Sequence, residues 1–292
     1  MMKQPGKGKS LNLLIALDLT EMDARLLRYA SFLCTKWDIR NLVLAHNIKK
    51  SALYSLYEEL LREGIEVADI VRQDLRRTIA ENFKGHCPHE LIITTNNNTE
   101  SALTELVEKH NINLVLTGNK REIQGTGIMT QKLIRMMPAS LLLVPEETTD
   151  LLERILVPTD FSPESARSFE VALRLCGQEG SHIEALHVYG IPQFFFPYVD
   201  LDAAVDKTKL HLQERFTQFR RKYQLPADIL FKYQDKEETS TVETIVQEAV
   251  AGNFDLIAVS AKGANNLTTL FIGSTTNDLL IRPIRKPLLV VK

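Results

Sequence analysis

Cysteine is scarce in this 292-residue sequence: there are three, Cys34, Cys87 and Cys176, and tryptophan occurs once. An odd number of widely spaced cysteines argues against a disulfide framework, and a reducing cytoplasm is the expected compartment. An excess of either charge is also missing. Lys and Arg number 35 against 37 Asp and Glu, for a net charge of -2. A broad basic face for nucleic acid or anionic lipid is therefore not expected. No apolar run approaches the ~18 residues that span a bilayer, so no membrane partner is expected either. The first ten residues carry Lys3, Lys7 and Lys9 but no apolar core followed by a small-residue cleavage site, unlike a secretory leader.

What remains is an ordinary globular composition, 44% hydrophobic and 25% charged. The length is that of about two domains. Four apolar blocks recur in the same order in the two halves. LNLLIAL stops at Asp18 and ILVPT at Asp160, an offset of 142. LVLAHNI contains His46 and IEALHVY contains His187, an offset of 141. NLVLTG ends at Gly118 and DLIAVS at Ser260, again 142 apart, and the closing blocks Leu141–Val144 and Leu288–Val291 lie 147 apart. The chain is a duplication.

Short Leu/Ile/Val runs without polar alternation suit strands buried on both faces, hence a parallel sheet covered by helices. Helical patterns separate them: Asp23–Phe32 and a segment opened by Ser162-Pro163-Glu164, where Ser suits the N-cap, Pro the first turn and Glu the dipole. Long helical stretches are expected over Ser51–Asn82 and Leu201–Tyr223, shorter ones over Glu100–His110 and Thr241–Ala251. Each half reads β-α-β-α-β-α-β-α-β, so the expected fold class is α/β, two tandem doubly wound five-stranded parallel sheets of Rossmann-like type. The polar stretch Pro145–Glu153 reads as the linker, giving domains 1–148 and 149–292.

In such a sheet ligands bind outside the carboxyl ends of the strands, where the strand order reverses. In the second half those ends are Pro158-Thr159-Asp160-Phe161-Ser162, His187-Val188 and Ser260-Ala261-Lys262-Gly263, followed after nine residues by Gly273-Ser274-Thr275. Gly273 and Ser274 open a helix running to Ile281, whose free amides and positive dipole end suit an anion. Gly263, lacking a Cβ, permits close backbone approach. Together these pieces describe a phosphate cradle.

ILVPTDFS, ALHV, DLIAVSAKG, LFIGSTTNDLL and KPLLVV resemble, in order and spacing, the universal stress protein family, over the whole second half and more weakly over the first. The family's nucleotide pattern is Gly, two residues, Gly, nine residues, Gly-Ser/Thr. The resemblance implies a tandem member that binds ATP, with Mg as its counter-ion. It sets adenine and ribose against Pro158, Thr159, Asp160 and Val188, with Asp160 as a hydrogen-bonding carboxylate. It sets the phosphates along Gly263, Gly273, Ser274 and Thr275, with Ser260 at the turn. Ser260 is the departure, because the pattern has Gly there. If φ is positive at that position, Ser costs ~1 kcal/mol and crowds the phosphates; if φ is negative, its hydroxyl is available to donate to a phosphate oxygen.

The first half keeps Asp18 and Gly118 but has Arg121 in place of the second Gly, a shorter loop over Glu122–Thr126, and Asn47 after the histidine. Gly127-Ile128 is the nearest thing to the Gly-Ser pair. The reading is a degenerate structural copy, with Lys120 and Arg121 as solvated charges. Gly8-Lys9-Ser10 is no P-loop, since it precedes a strand. His86-Cys87-Pro88-His89 is too compressed for a metal site. His46 and His187 read as hydrogen-bonded structural histidines, and Met129, Met136 and Met137 as core filling. Phe194–Tyr198 suits a lid, a partner patch or a cluster tucked under the long helix.

No nucleophile–base pair emerges, and the loops LDLTEMD and PTDFSPE lack the Ser/Gly-rich grip of pyrophosphatase-type relatives. Adenylating signatures with paired histidines are missing as well. A stress-response module that binds adenine nucleotide is preferred to a dedicated enzyme, with slow ATP hydrolysis as the most it would allow. The rival is a nucleotide-free interaction scaffold. Since the closing strands would be apolar sheet edges, the two domains are expected to pair as a pseudo-two-fold unit, with a homodimer as a further level of assembly.

Overall fold

The computed structural model describes residues 10–49, 66–119, 126–176, 182–191, 201–236, 238–263 and 272–292. The chain divides into two compact units, Met1–Asp150 and Leu151–Lys292. The first contains β1 (Leu11–Leu17), α1 (Glu21–Lys36), β2 (Ile39–Ile48), α2 (Val67–Asn82), β3 (His89–Thr95), α3 (Thr99–Lys109), β4 (Leu114–Asn119), α4 (Thr126–Met136) and β5 (Ser140–Pro145). The second contains β6 (Arg154–Pro158), α5 (Pro163–Cys176), β7 (His182–Tyr189), α6 (Leu201–Lys222), β8 (Leu230–Asp235), α7 (Thr241–Ala251), β9 (Leu256–Ser260), α8 (Ser274–Ile281) and β10 (Leu288–Val291).

Within the first unit the strands lie in the order β3-β2-β1-β4-β5, and within the second β8-β7-β6-β9-β10. All pairings inside each unit are parallel. This is the expected α/β class, two doubly wound five-stranded sheets. The four apolar blocks of each half are its four inner or closing strands. Leu14, Ile15, Val43, Val115, Leu156, Ala185, Ile257 and Leu289 are all without measurable exposure, as strands covered on both faces require. The fifth strands, β3 (HELIITT) and β8 (LFKYQD), have no fully buried position, so they carry no apolar run to read.

The duplication extends to backbone detail. Leu19 and Phe161, 142 positions apart, both adopt φ 63° in the turn between first strand and first helix. Asn111 and Asn253, also 142 apart, take φ 50° and 51° after α3 and α7, in the left-handed region that Asn tolerates. Asn113 Oδ1 accepts from the Asn12 amide, and Asp255 Oδ2 from the amides of Glu153 and Arg154, at matching places in the two units. Helix starts follow their sequence signals. Ser162 accepts from the Ser165 amide with Pro163 opening α5, and Ser240 and Glu243 form a reciprocal capping box on α7.

Some expectations lie outside the described residues: Gly8-Lys9, Lys120 and Arg121, the loop over 122–125, Phe194–Tyr198, and 51–65 of the first long helical stretch. Of the three methionines expected in the core, Met137 is buried, Met129 half-buried and Met136 exposed on the outer face of α4. The cysteines also depart from their spacing. Cys34 in α1 has Cys87, before β3, as a neighbour, and Gly85 of the same segment passes so close that a Cβ there would stand 3.0 Å from the Cys34 sulfur. Among the described residues no helix is long and apolar enough to cross a membrane.

The core of the second unit gives a direct check. Leu156→Ala, in a central strand with 0% exposure, should cost ~2–5 kcal/mol in urea denaturation. Leu230→Ala on β8, where the side chain is 60% exposed, should change stability by less than ~0.5 kcal/mol.

Candidate functional site

In the second unit β6 pairs with β7 on one side and β9 on the other, so the strand order reverses at β6/β9. The carboxyl ends of these strands open a cleft of about 290 Å³. Pro158, Thr159 and Asp160 line it from β6, Val188 from β7, Ser260 and Gly263 from β9 and its turn, and Gly273, Ser274 and Thr275 from the start of α8. All nine residues singled out in the sequence thus meet on one wall or another of the same cleft.

The β6–α5 loop is held by its own side chains. The Thr159 hydroxyl accepts from the Phe161 amide at 3.0 Å and shares a hydrogen bond of 2.8 Å with the Ser165 hydroxyl. Asp160 Oδ1 accepts from the Ser162 amide at 3.0 Å. Its Oδ2 is turned towards Gly263, where an added Cβ would stand 3.1 Å away. Gly263 is therefore a close approach between two loops, and any side chain there would press on the carboxylate.

Across the cleft, α8 begins at Gly273 with no side-chain cap. Helices α1, α3, α5 and α7 each spend a first-turn amide on a Thr, Asn or Ser side chain. Glycine has none to offer, so the first-turn amides of α8 keep their capacity for an external acceptor. The end of α8 is fixed by other bonds: the Gly273 amide donates to Ala261 O at 2.9 Å, and the Thr276 hydroxyl to Ser260 O at 2.7 Å.

Ser260, the departure from the glycine pattern, resolves without either consequence weighed from sequence. It is not among the residues with positive φ, so it carries no left-handed strain. Its hydroxyl donates to Lys262 O and closes the turn, leaving it committed inside the loop.

Several lining residues went unassigned in the sequence. Thr241 and Ile245, from the first turns of α7, line the cleft, and Lys262 brings a positive charge to it. The capping box Ser240-x-x-Glu243 was a legible signal for where α7 starts, and in a parallel sheet every helix following a strand starts at this rim. His187 also lines the cleft. Its Nδ1 lies 2.7 Å from Thr159 O; a carbonyl only accepts, so Nδ1 carries the proton. His46 makes the matching bond to Leu17 O at 2.9 Å, and both histidines are structural in this sense. The His187 ring is stacked on Phe161 at 4.5 Å, and the Arg215 guanidinium lies over that phenyl ring at 4.7 Å.

The same rim of the first unit is filled from within. Met22 stands over Gly118, so closely that a Cβ there would be 2.5 Å from its Cγ. The Asp23 carboxylate, buried in the β1–α1 loop, accepts from the amides of Asp18 and Leu19 at 2.9 and 2.8 Å. Asn47, in the place of Val188, ties the strand ends together through Asn96 O, the Thr99 hydroxyl and the Thr94 hydroxyl, each at 2.9 Å. His86 and His89 stand in exposed positions, with His89 Nδ1 donating to Cys87 O. Among the described residues no group of three His, Cys, Asp or Glu side chains is gathered as a metal ion would need.

The universal stress protein family model matches residues 152–292. Among solved structures, a universal stress protein from Archaeoglobus fulgidus DSM 4304 is 16% identical with a TM-score of 0.63, covering 97% of each chain. A putative universal stress protein from Pseudomonas aeruginosa UCBPP-PA14 is 14% identical with a TM-score of 0.61, covering 99% of this chain and 95% of the other. A functionally unknown protein from Pseudomonas aeruginosa PAO1 is 13% identical with a TM-score of 0.66, covering 98% and 94%. Identities this low speak for a shared fold. No curated protein matches the sequence.

Burial pushes the His187 imidazole below its ordinary 6.5, and the Arg215 guanidinium adds to this against the opposing pull of the Thr159 carbonyl and Asp160. A folded pKa below the unfolded one means the unfolded chain binds the extra proton, so stability falls as pH drops through the ordinary value and below. Between about pH 7.5 and about pH 5, urea midpoints should therefore fall less for His187→Asn, which keeps a donor for Thr159 O but cannot charge, than for wild type.

Proposed function

We propose that the second unit, where residues 152–292 match the universal stress protein family model, binds an adenine nucleotide in the cleft at the ends of β6, β7 and β9. One observation carries the reading: an uncapped, glycine-opened helix end facing a carboxylate and a glycine across a single cleft. An anion needs the first, a ribose diol the second, and close passage of the ligand past the backbone the third.

In this reading Pro158 and Val188 flank the base and Thr159 keeps the loop in shape, while Asp160 accepts from the ribose hydroxyls. The amides of Ser274 and Thr275, with their hydroxyls, take the phosphates, and Lys262 adds the charge a triphosphate calls for. ATP fits this donor set, with Mg carried on its phosphates as counter-ion. Ser260 acts through the turn it closes and makes no phosphate bond of its own. The first unit serves as a structural copy, its rim occupied by Met22, Asp23 and Asn47. The whole is a cytoplasmic stress-response binding module, with no catalytic role assigned to any residue.

Isothermal titration of the full-length chain with ATP and Mg tests this. Binding should saturate at a single nucleotide per chain. Asp160→Ala and Gly263→Val should each weaken it about tenfold or more, or ~1.4 kcal/mol and upward. Met22→Ala should leave the affinity as it is. No heat from folded wild type at about millimolar ATP, where even a weak site would fill, with no adenine nucleotide in the denatured protein by mass spectrometry, would turn the function to the nucleotide-free scaffold.

A further inference from the structure

Two of the three cysteines, far apart in sequence, share one place in the first unit. Cys34 lies in the last turns of α1, and Cys87 in the irregular segment between α2 and β3. Cys87 is the neighbouring group that acts on the Cys34 thiol, and both side chains are part-exposed. The chain between them is shaped for this approach. Gly85 passes Cys34 so closely that a Cβ at that position would stand 3.0 Å from Sγ and 2.6 Å from the Phe83 ring. The Phe83 ring in turn meets His89 edge-on at 5.0 Å, and the Lys84 amide donates to the Ser31 hydroxyl at 2.8 Å. The segment bearing Cys87 is thus bonded to the helix that bears Cys34, one turn away from it.

We propose that Cys34 and Cys87 are a redox modification site, closing to an intramolecular disulfide under peroxide or glutathione disulfide and reopening with thiol reductants. Nothing in the nucleotide cleft takes part, so this does not depend on the second unit binding anything. A segment already held against α1 beside Cys34 needs little of the backbone excursion that separated cysteines require, and part exposure admits a small oxidant. Cysteine pairs of this kind in a reducing compartment are transient and responsive rather than structural.

The roles of the two sulfurs differ. Burial, and then the neighbouring thiol, push Cys34 up to about 12, so it stays protonated. That leaves Cys87 as the nucleophile towards the oxidant. With hydrogen peroxide, Cys87 attacks one oxygen, the O–O bond breaks, and a sulfenic acid and water result. Cys34 sulfur then displaces the hydroxyl from Cys87, and the Cys34 proton leaves with it as a second water. Two thiols are oxidised by two electrons and one peroxide is reduced to two waters. With glutathione disulfide, Cys87 releases one glutathione thiol and forms a mixed disulfide, and Cys34 displaces the second.

The test uses the full-length chain. It is treated with hydrogen peroxide, or separately with glutathione disulfide, then alkylated in denaturant and digested with trypsin without reductant. Mass spectrometry should find peptides Tyr29–Lys36 and Gly85–Lys109 joined through Cys34 and Cys87, two hydrogens lighter than the separate thiols. The link should vanish with dithiothreitol, and Cys176, buried in the second unit, should be alkylated throughout. Oxidised protein should melt about 5 °C or more above reduced protein, because the bond closes a long loop. Cys34 and Cys87 recovered separately, whether alkylated, over-oxidised or glutathionylated, would overturn the proposal. So would a link to Cys176 or to a second molecule, or a lower melting temperature on oxidation.

Discussion

The site depends first on parallel pairing. Because β6 runs parallel to both β7 and β9, the strand ends Pro158, Val188 and Ser260 arrive at one rim, and the helices that follow begin there. Each of those helices points a positive end at the same rim. The reversal of strand order at β6/β9 leaves a crevice between the connections on either side. An antiparallel sheet with the same loops would scatter them between two edges. The glycines, the carboxylate and the uncapped helix mean something together only because the sheet topology makes them neighbours.

The two units apply one skeleton to opposite ends. The matched left-handed residues Leu19 and Phe161, and the matched histidine bonds to Leu17 O and Thr159 O, show that the β–α turn is the same object in both. What differs is the filling. In the first unit the Asp23 carboxylate takes the loop amides, Met22 covers Gly118, and Asn47 knots the neighbouring strand ends. In the second, Ser165 takes the place of Asp23 and bonds only to Thr159 and Ser162, and the rim stays open. A buried carboxylate supplied by the chain leaves little for an outside anion to do. A few side chains thus separate a closed rim from an open one on a common fold.

Most of the architecture was legible because burial on both faces leaves a plain trace: four blocks of Leu, Ile and Val in each half, at nearly constant offset. The strands β3 and β8 left no such trace, since no position in either is fully buried. The nine cleft residues were legible because loops at strand ends can be aligned by counting from the strands. Lys262, Thr241 and Ile245 were not assigned. Their part in the cleft comes from how a turn bends and where α7 packs.

The sequence by itself determined the duplication, the α/β class and the loop residues that gather at the rim, because strand burial and helix starts are local consequences of side-chain chemistry. Tertiary structure decided the rest. It set φ at Ser260 and turned its hydroxyl inward to Lys262 O, where counting positions had left two outcomes open. It set Met22 over Gly118, and it brought the Cys87 segment beside Cys34 although their wide spacing argued against a disulfide framework. These are contacts between residues distant along the chain, and spacing carries no information about them until the strands have taken their order in the sheet.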